Sequence, residues 1–563
     1  MPRIVLPITS RGLVVNDRIC WVILGGAMAV AAGLILYLNR GTIFYIDELA
    51  LVHRSPSFDA GDLIDPYNGH LAITTRVVYK AILETIGADY LAFRLLHASM
   101  ILVAAGLFYA LVKRRIGALP ALAPALVLLF FGSASGHVVI PQGFGIFFCV
   151  AAGLGALLAL ERDDRRGDVA ACVLLCLAIV TFSTGLAFLV GVAISVLMRH
   201  DRFRRAWIFL IPLVLYAAWW LWALSAPASA EQSTKLSNVL LIPGWFAESL
   251  AAVAGALAGL NYDFANEYAI STANPKWGYV LGALAVLALA LRIRRRNVPP
   301  SLWASLGILL SFWALGALAF VPVLRAPGSD RYIYMGAVGA LLVATAAARG
   351  VRFSKLGLAA LFGACAISLA TNVALLRDGG AFFRSSYSIP LRSQLTVLEL
   401  ARGHVDPGFA GVKVLGTFGN VAPAGPYLEA VDRYGSLGLS LAELERQSAT
   451  VREDADQVLA SALELRLRPS PSPEAAGRCR RFRAGSQDSP AAFELPVGGA
   501  TIRARATAPG KVAVGRFASA PTAEVGSLSP GETATLRIPP DSSPSPWHAS
   551  VAGAKSVQVC APG

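Results

Sequence analysis

Residues 19–48 of the chain read ICWVILGGAMAVAAGLILYLNRGTIFYIDE. The run from Ile19 to Leu38 is apolar and uncharged, and it is long enough for one helix to cross a bilayer. Because no small-residue cleavage site follows this run, we expect a retained membrane helix rather than a cleaved signal peptide. Directly after it the chain reaches a carboxylate pair, Asp47-Glu48, so this stretch predicts a helix that delivers two acids to a membrane surface.

The composition of the whole chain favours a membrane protein. Of its 563 residues, 55% are hydrophobic and only 15% are charged, whereas a soluble domain carries about 25% charged residues. We predict a polytopic α-helical membrane protein with about eleven spans in residues 19–376. The predicted spans are 19–38, 89–112, 117–133, 142–160, 169–182, 184–198, 206–224, 277–291, 302–321, 332–348 and 356–376. The stretch Ser183-Thr184-Gly185 divides one long apolar run into two short helices with a tight turn.

The placement of the basic residues predicts the orientation. The net charge of +14 comes mostly from Lys and Arg clusters between apolar runs, and no basic stripe with interleaved aromatics indicates nucleic-acid binding. The apolar segment 239–260 is interrupted early by Pro243 and Gly244. If it does not cross, the clusters fall on one side, which the positive-inside rule makes cytoplasmic. These clusters are Arg3/Arg11/Arg18, Lys113/Arg114/Arg115, Arg162/Arg165/Arg166, Arg199/Arg202/Arg204/Arg205, Arg292/Arg294/Arg295/Arg296 and Arg349/Arg352/Lys355.

The predicted domains follow from this topology. Residues 1–18 form a cytoplasmic amino terminus, and two long external loops cover 39–88 and 225–276. Residues 377–470 form an external helical or mixed segment that includes the strand-like run Val412 to Leu415, and 471–563 form an external β-rich domain. In the last region, 501–507, 511–517, 533–538 and 556–560 alternate in the manner of strands and predict a small β-sandwich.

Cysteine placement fits an external tail. Five cysteines lie within apolar runs, where they behave as small buried hydrophobes. Cys479 and Cys560 lie near the two ends of the predicted sandwich. In an oxidising compartment we expect them to form a disulfide, and two free buried thiols are the alternative.

Candidate catalytic residues gather in the first external loop. Asp47 and Glu48 leave the membrane there, and partial desolvation would suit one of them as a general base. A solvated helix end is the plain alternative. His70, after Asn68-Gly69, is a candidate to orient substrate, and a divalent metal held by Asp47, Glu48 and His70 is a further option rather than a required cofactor. Weaker substrate-binding candidates in or near this cleft are Asn68, Arg76, Lys80, His53, Arg94, His97, His137 and Gln142.

The layout resembles the GT-C superfamily of polyprenyl-phosphate-dependent glycosyltransferases, such as protein mannosyltransferases and aminoarabinose transferases. The features that carry the resemblance are the acidic motif Asp47-Glu48 after the first span, the long first loop with an amphipathic stretch at 71–83, and the short paired helices near Ser183. Arg331-Tyr332 before a late span and a soluble outer tail complete it. The resemblance covers roughly residues 1–380, while the β-rich tail resembles carbohydrate-binding modules only loosely.

This resemblance implies an enzyme. It implies that a sugar moves, with inversion, from a polyprenyl-phosphate donor to a glycan, lipid or protein acceptor on the extracytoplasmic face of a bacterial inner membrane. Asp47 would be the base, with Glu48 as helper or as the base itself. Arg331 and Arg325, with Tyr332 beside them, would bind the donor phosphate, since arginine stays charged and grips phosphate bidentately. The rival interpretations are a transporter or flippase, a non-catalytic envelope or assembly protein whose tail is a binding module, and a polymerase or ligase of lipid-linked glycans. Coupled carriers usually hold ionisable groups within their spans, and the predicted spans hold few.

Overall fold

The computed structural model describes residues 16–67, 69–225, 236–260, 262–263, 272–273, 276–295, 297–320, 325–412, 423–470, 478–483, 491–506 and 509–561. The chain divides into two compact units. Unit one comprises Met1–Arg40, Asp59–Ala81 and Tyr90–Phe382, and unit two comprises Gly41–Phe58, Ile82–Asp89 and Phe383–Gly563. The head of the first loop therefore belongs to the same unit as the tail.

Helices dominate the chain up to residue 400. Those before the tail are α1 (Asp17–Leu38), α2 (Ile46–Arg54), α3 (Ile73–Ile86), α4 (Tyr90–Ile116), α5 (Ala118–Leu129), α6 (Ser135–Val138), α7 (Phe144–Leu160), α8 (Arg165–Thr181), α9 (Gly185–Leu197), α10 (Arg202–Arg205), α11 (Trp207–Ala223), α12 (Ile242–Ala258), α13 (Lys276–Arg294), α14 (Pro300–Leu318), α15 (Asp330–Ala347) and α16 (Lys355–Phe382). A short ladder pairs β1 (Tyr262–Asp263) with β2 (Thr272–Ala273).

The chain is a polytopic α-helical membrane protein. Among the described residues, eight helical segments are long and apolar enough to cross a membrane. They are Asp17–Leu38, Tyr90–Ile116, Ala118–Val138, Pro141–Leu160, Ser237–Ala258, Lys276–Arg294, Pro300–Leu318 and Lys355–Leu400. Seven of them coincide with predicted spans, and the other four predicted spans are α8, α9, α11 and α15. The predicted break near Ser183 lies between α8 and α9.

Helix α12 differs from the sequence prediction. Residues 242–258, which were expected within the external loop 225–276, form a continuous helix that packs in unit one against α13, α14 and α15. Pro243 lies in the first turn of this helix, where a missing N–H costs nothing, so it begins the helix rather than interrupting it. The backbone of α13 approaches α12 closely at Gly278, where an added Cβ would lie 1.9 Å from the Ala251 carbonyl oxygen.

A break in the helical path lies between α5 and α7 and is buried in unit one. Here two 3₁₀ turns and α6 replace regular helix over residues 132–143. The Asn372 side chain on α16, which is fully buried, compensates for this break. Its Oδ1 accepts hydrogen bonds from the backbone N–H and the hydroxyl of Ser133, each at 2.9 Å, and its Nδ2 donates to the Ser368 carbonyl at 2.9 Å.

Unit two combines helices with two antiparallel sheets. Its tail helices are α17 (Ile389–Leu400), α18 (Ala424–Tyr434), α19 (Leu441–Glu445) and α20 (Ala449–Ala462). Its strands are β3 (Arg468–Pro469), β4 (Cys479–Arg483), β5 (Ala491–Glu494), β6 (Gly499–Ala506), β7 (Gly510–Gly515), β8 (Ala523–Leu528), β9 (Thr533–Arg537), β10 (His548–Val551) and β11 (Ala554–Cys560). The sheet orders are β5-β10-β7-β8 and β3-β9-β6-β11-β4.

The two sheets form the expected sandwich. Phe482 on β4 stacks on Phe493 on β5, with ring centroids 5.2 Å apart. All four predicted strands are present as β6, β7, β9 and β11, and Cys479 and Cys560 are joined by a disulfide. Of the strand-like run at 412–415, only Val412 lies within the described residues.

The head of the first loop packs with the tail inside unit two. Helix α2 contacts α18. The Tyr434 hydroxyl lies 3.1 Å from the hydroxyl of Ser55, just after α2, and it donates to Glu84 at 2.9 Å. The guanidinium of Arg433 also pairs with Glu84 at 2.9 Å. These contacts attach both ends of the first loop to a helix that lies about 350 residues later in the sequence.

We expect Asn372→Leu to destabilise the protein by about 2–4 kcal/mol, because it leaves two buried donors of Ser133 unsatisfied. Thermal unfolding in lipid nanodiscs measures this loss. The matched control is Ala374→Leu, an exposed position on the same helix, for which we expect almost no change. Equal stability of the two variants would contradict the role given to Asn372.

Candidate functional site

His70 is held at the helix break between α8 and α9. Its Nδ1 lies 2.8 Å from the hydroxyl oxygen of Ser183, and its ring packs on Phe182 with centroids 4.1 Å apart. On the loop side, reciprocal backbone hydrogen bonds of 2.9 Å with Tyr67 close a tight turn around the histidine. The break that the sequence predicted therefore gives the first loop a fixed polar contact within unit one.

Two arginines act on the same histidine. Burial and, to a smaller extent, the positive charges of Arg325 and Arg331 together lower the pKa of His70 to about 3. The imidazole is therefore neutral at physiological pH, whereas both guanidinium groups stay charged. Arg331 is exposed on the first turn of α15. Arg325 donates a hydrogen bond of 3.1 Å to the Ala319 carbonyl beyond the end of α14. His70, Arg325 and Arg331 thus all belong to unit one, and a common role for them stays a prediction.

Asp330 and His137 form a second polar contact beside Arg331. Asp330 is buried at the first position of α15, and its Oδ2 lies 3.5 Å from His137 Nδ1 on the short helix α6. His97, also buried, meets the same segment through a contact of 3.0 Å between its Nε2 and the Val138 carbonyl. Sequence analysis gave Asp330 no role. Its position directly before Arg331 in the sequence was the available signal.

Tyr332 lies in aromatic surroundings. Its ring meets Trp245 of α12 edge-on, with centroids 5.4 Å apart, and Phe312 of α14 at 6.1 Å. These contacts fix the first turns of α15 against its neighbours. Its predicted contact with a donor phosphate stays a prediction.

Arg76 organises the first loop. It is only 5% exposed, and its guanidinium donates to the carbonyl oxygens of Asp62 and of Asp65, the latter at 2.8 Å. The indole N–H of Trp219 on α11 donates to the Ile64 carbonyl at 2.7 Å, so the same loop is also attached to a membrane helix. Arg76 therefore supports the site through the loop backbone. Lys80 is half-buried on α3, and Asn68 lies outside the described residues.

Asp47 and Glu48 occupy the first turn of α2 in unit two, and their environments differ. Glu48 is 2% exposed, and its Oε2 accepts a hydrogen bond of 2.9 Å from the backbone N–H of Tyr45. It therefore satisfies a donor at the start of its own helix. Asp47 is half-buried. The Tyr45 ring packs against Tyr387 at 4.6 Å, which fixes the entry of the chain into α2.

The predicted residues are thus distributed between the two units. His70, Arg325 and Arg331 belong to unit one, and Asp47 and Glu48 belong to unit two. The expectation that the acids and the arginines serve one reaction stays a prediction.

No clear metal site supports the alternative with a divalent cation. Within the described part of the chain, no group of three or more His, Cys, Asp or Glu side chains is placed to hold a metal ion. A metal at Asp47, Glu48 and His70 therefore gains no support here and stays a prediction.

Comparison with known proteins gives two structural similarities. The sequence matches no protein-family model and no curated protein. The structure is similar to the crystal structure of ArnT from Cupriavidus metallidurans bound to undecaprenyl phosphate, with 17% identity, a TM-score of 0.38, and coverage of 74% of this chain and 77% of that one. It is also similar to the cryo-EM structure of the arabinosyltransferase EmbB from Mycobacterium smegmatis, with 12% identity, a TM-score of 0.32, and coverage of 99% and 66%.

Both TM-scores are below 0.5, so the proposed function depends on the residues of this chain.

The two neutral histidines predict a pH dependence of stability. Burial lowers the pKa of His53, as of His70, to about 3, against about 6.5 in an unfolded chain. Between these values the unfolded chain binds protons that the folded chain does not, so the free energy of unfolding falls as pH falls. We expect the apparent Tm to drop between pH 7 and pH 5, and His70→Gln to reduce that drop. The control is His404→Gln at an exposed position, which should leave the drop unchanged. An equal effect of the two variants would contradict the assignment.

Proposed function

We propose that this protein is a membrane glycosyltransferase of the GT-C type. It would move a hexose or pentose from a polyprenyl-phosphate donor to a glycan, lipid or protein acceptor of the cell envelope. The observation that carries the proposal is the placement of two arginines at helix ends, Arg331 on the first turn of α15 and Arg325 just beyond α14, in the same unit as His70, whose pKa both charges lower. Two permanent cations beside a neutral ring suit a phosphate that is attached to a membrane lipid.

The arginines would stabilise the leaving group. When the bond between the anomeric carbon and the phosphate oxygen breaks, its electron pair stays on that oxygen and negative charge develops there. Fixed cations that await this charge lower the barrier without reorganising during the reaction. Because Arg331 lies on the first turn of α15, the positive end of the helix dipole adds to the same field.

Asp47 is the better candidate for the base. The base takes the proton of the acceptor hydroxyl as its oxygen bonds to the anomeric carbon, and configuration inverts in this single displacement. Glu48 is buried and already accepts a hydrogen bond from Tyr45, so its first task is to hold the start of α2. His70 stays neutral and, through Ser183, would orient the donor rather than transfer its proton.

The proposed location is the extracytoplasmic face of a bacterial inner membrane. The basic clusters at 113–115, 162–166 and 199–205 all precede the apolar helix Ser237–Ala258, so whether that helix crosses does not affect them, and they support a cytoplasmic amino terminus. The disulfide between Cys479 and Cys560 supports an oxidising compartment for the tail.

Asp47→Asn should abolish transfer while the protein still inserts into the membrane, because the amide cannot accept the hydroxyl proton. The measurement is glycan profiling of the envelope of a deletion strain that carries each variant. Glu48→Gln is the matched variant, since its amide oxygen can still accept from Tyr45, and it should retain a measurable part of the transfer. Normal profiles from both variants would remove the proposed base, and substrate movement in liposomes without any glycan product would favour a transporter.

Arg331→Gln should lower kcat/KM for the lipid-linked donor by about 100-fold, the usual effect of removing one preorganised contact to developing charge. Transfer of radiolabelled sugar in isolated membranes measures this effect. Arg352→Gln removes an exposed arginine after the opposite end of α15 and serves as the control. A loss of the same size in both variants would show that general surface charge is responsible.

A further inference from the structure

The five-stranded sheet of the tail has a one-sided distribution of charge. Its strands β3, β4, β6, β9 and β11 contain seven arginines and one lysine but no aspartate or glutamate. The four-stranded sheet of the same sandwich is different, because there Lys511 pairs with Glu524 at 2.9 Å. The unbalanced positive charge is therefore a property of one sheet and not of the whole tail.

Strand alternation places most of these arginines on the outer face. Val557 and Ile502 are fully buried against the other sheet, as expected for side chains that alternate along a strand. Their neighbours in sequence point outward. We call the exposed set Arg468, Arg481, Arg483, Arg503 and Arg537 the arginine face. Among the described side chains, no carboxylate forms an ion pair with any of them.

The register spaces these side chains regularly. On β11, Gln558 pairs with Arg481 of β4 on one side and with Arg503 of β6 on the other. These two arginines are therefore two strand spacings apart, about 10 Å, and Arg481 and Arg483 are about 7 Å apart along one strand. These are backbone spacings, and they repeat along and across the sheet. They suit a ligand that carries anionic groups at intervals.

The positions between the arginines favour a sugar chain. Thr535 and Gln558 are half-buried on the outer face, and the hydroxyl of Thr535 lies 3.2 Å from that of the buried Thr501 beside it. Hydroxyl and amide groups can both donate to and accept from sugar hydroxyls. In the described part of the tail, the only large exposed apolar side chain is Val497, in the turn before β6. A face with a single apolar side chain at its margin offers little to insert into a lipid surface.

We propose that the arginine face binds an anionic glycan, a chain that bears carboxylate or phosphate groups. This assignment goes beyond the proposed function, because it concerns a binding surface away from the reacting groups. It also extends the proposed function, on which it rests. If the acceptor is itself an anionic glycan, the tail would hold that glycan while the sugar is added to its end.

The test uses the full-length protein in phosphatidylcholine nanodiscs, with polygalacturonate as the probe and neutral dextran of matched length as the reference. We expect polygalacturonate to bind more tightly than dextran. Arg481→Gln combined with Arg503→Gln should weaken that binding by about 10-fold, because charge-assisted contacts are the stronger hydrogen bonds. The control combines Lys511→Gln with Arg446→Gln, which removes the same charge from exposed positions elsewhere in the tail.

Three results would overturn the proposal. They are equal binding of polygalacturonate and dextran, equal losses in the two double variants, and binding only to phosphatidylglycerol vesicles, which would assign the face to a membrane surface. Asp47→Asn separates this proposal from the enzymatic one, because it should abolish transfer and leave polygalacturonate binding unchanged. Failure of the enzymatic proposal would therefore show in Asp47→Asn, and failure of the binding proposal would show in the variant that combines Arg481→Gln with Arg503→Gln.

Discussion

The structure depends on how buried breaks in its helices are satisfied. In a bilayer, backbone N–H and C=O groups that leave a helix need partners within the protein. Between α5 and α7, the fully buried Asn372 side chain accepts a hydrogen bond from the backbone N–H of Ser133. Gly132 permits the close approach, since an added Cβ there would lie 1.8 Å from the Asn372 carbonyl oxygen. With this hydrogen bond, non-helical backbone is tolerated inside the helix bundle. Such backbone places polar side chains at positions inside the bundle.

Both helix breaks carry candidate functional groups. The break between α8 and α9 presents Ser183 to His70, and the longer break before α7 brings His137 to Asp330 beside Arg331. The surroundings keep the imidazole of His70 neutral while the arginines remain charged. Unit one thus separates two kinds of polar group: permanent cations suited to a lipid phosphate, and a neutral histidine suited to hydrogen bonding.

Unit two shows a division of tasks among similar residues. Of two adjacent acids, the buried Glu48 accepts a hydrogen bond from the backbone N–H of Tyr45 at the start of α2, whereas Asp47 does not take part in that hydrogen bond. Of two sheets in one sandwich, one contains the ion pair between Lys511 and Glu524 and the other carries exposed arginines. In each case the residue type alone does not reveal the role. The hydrogen bond of Glu48 and the pairing register of the strands do.

The sequence alone was enough to predict seven of the eight long apolar helical segments, the break near Ser183, four of the strands and the partners of the disulfide. These follow from hydropathy, alternation and spacing, which are local properties of the chain. Residues 242–258 and the roles of Arg76 and Asp330 could not be predicted in this way. These features depend on the tertiary structure. The burial of a helix face, hydrogen bonds to distant carbonyls and the pKa of His70 all involve groups that are far apart in sequence. The same reason explains why the head of the first loop, at 41–58, belongs with the tail.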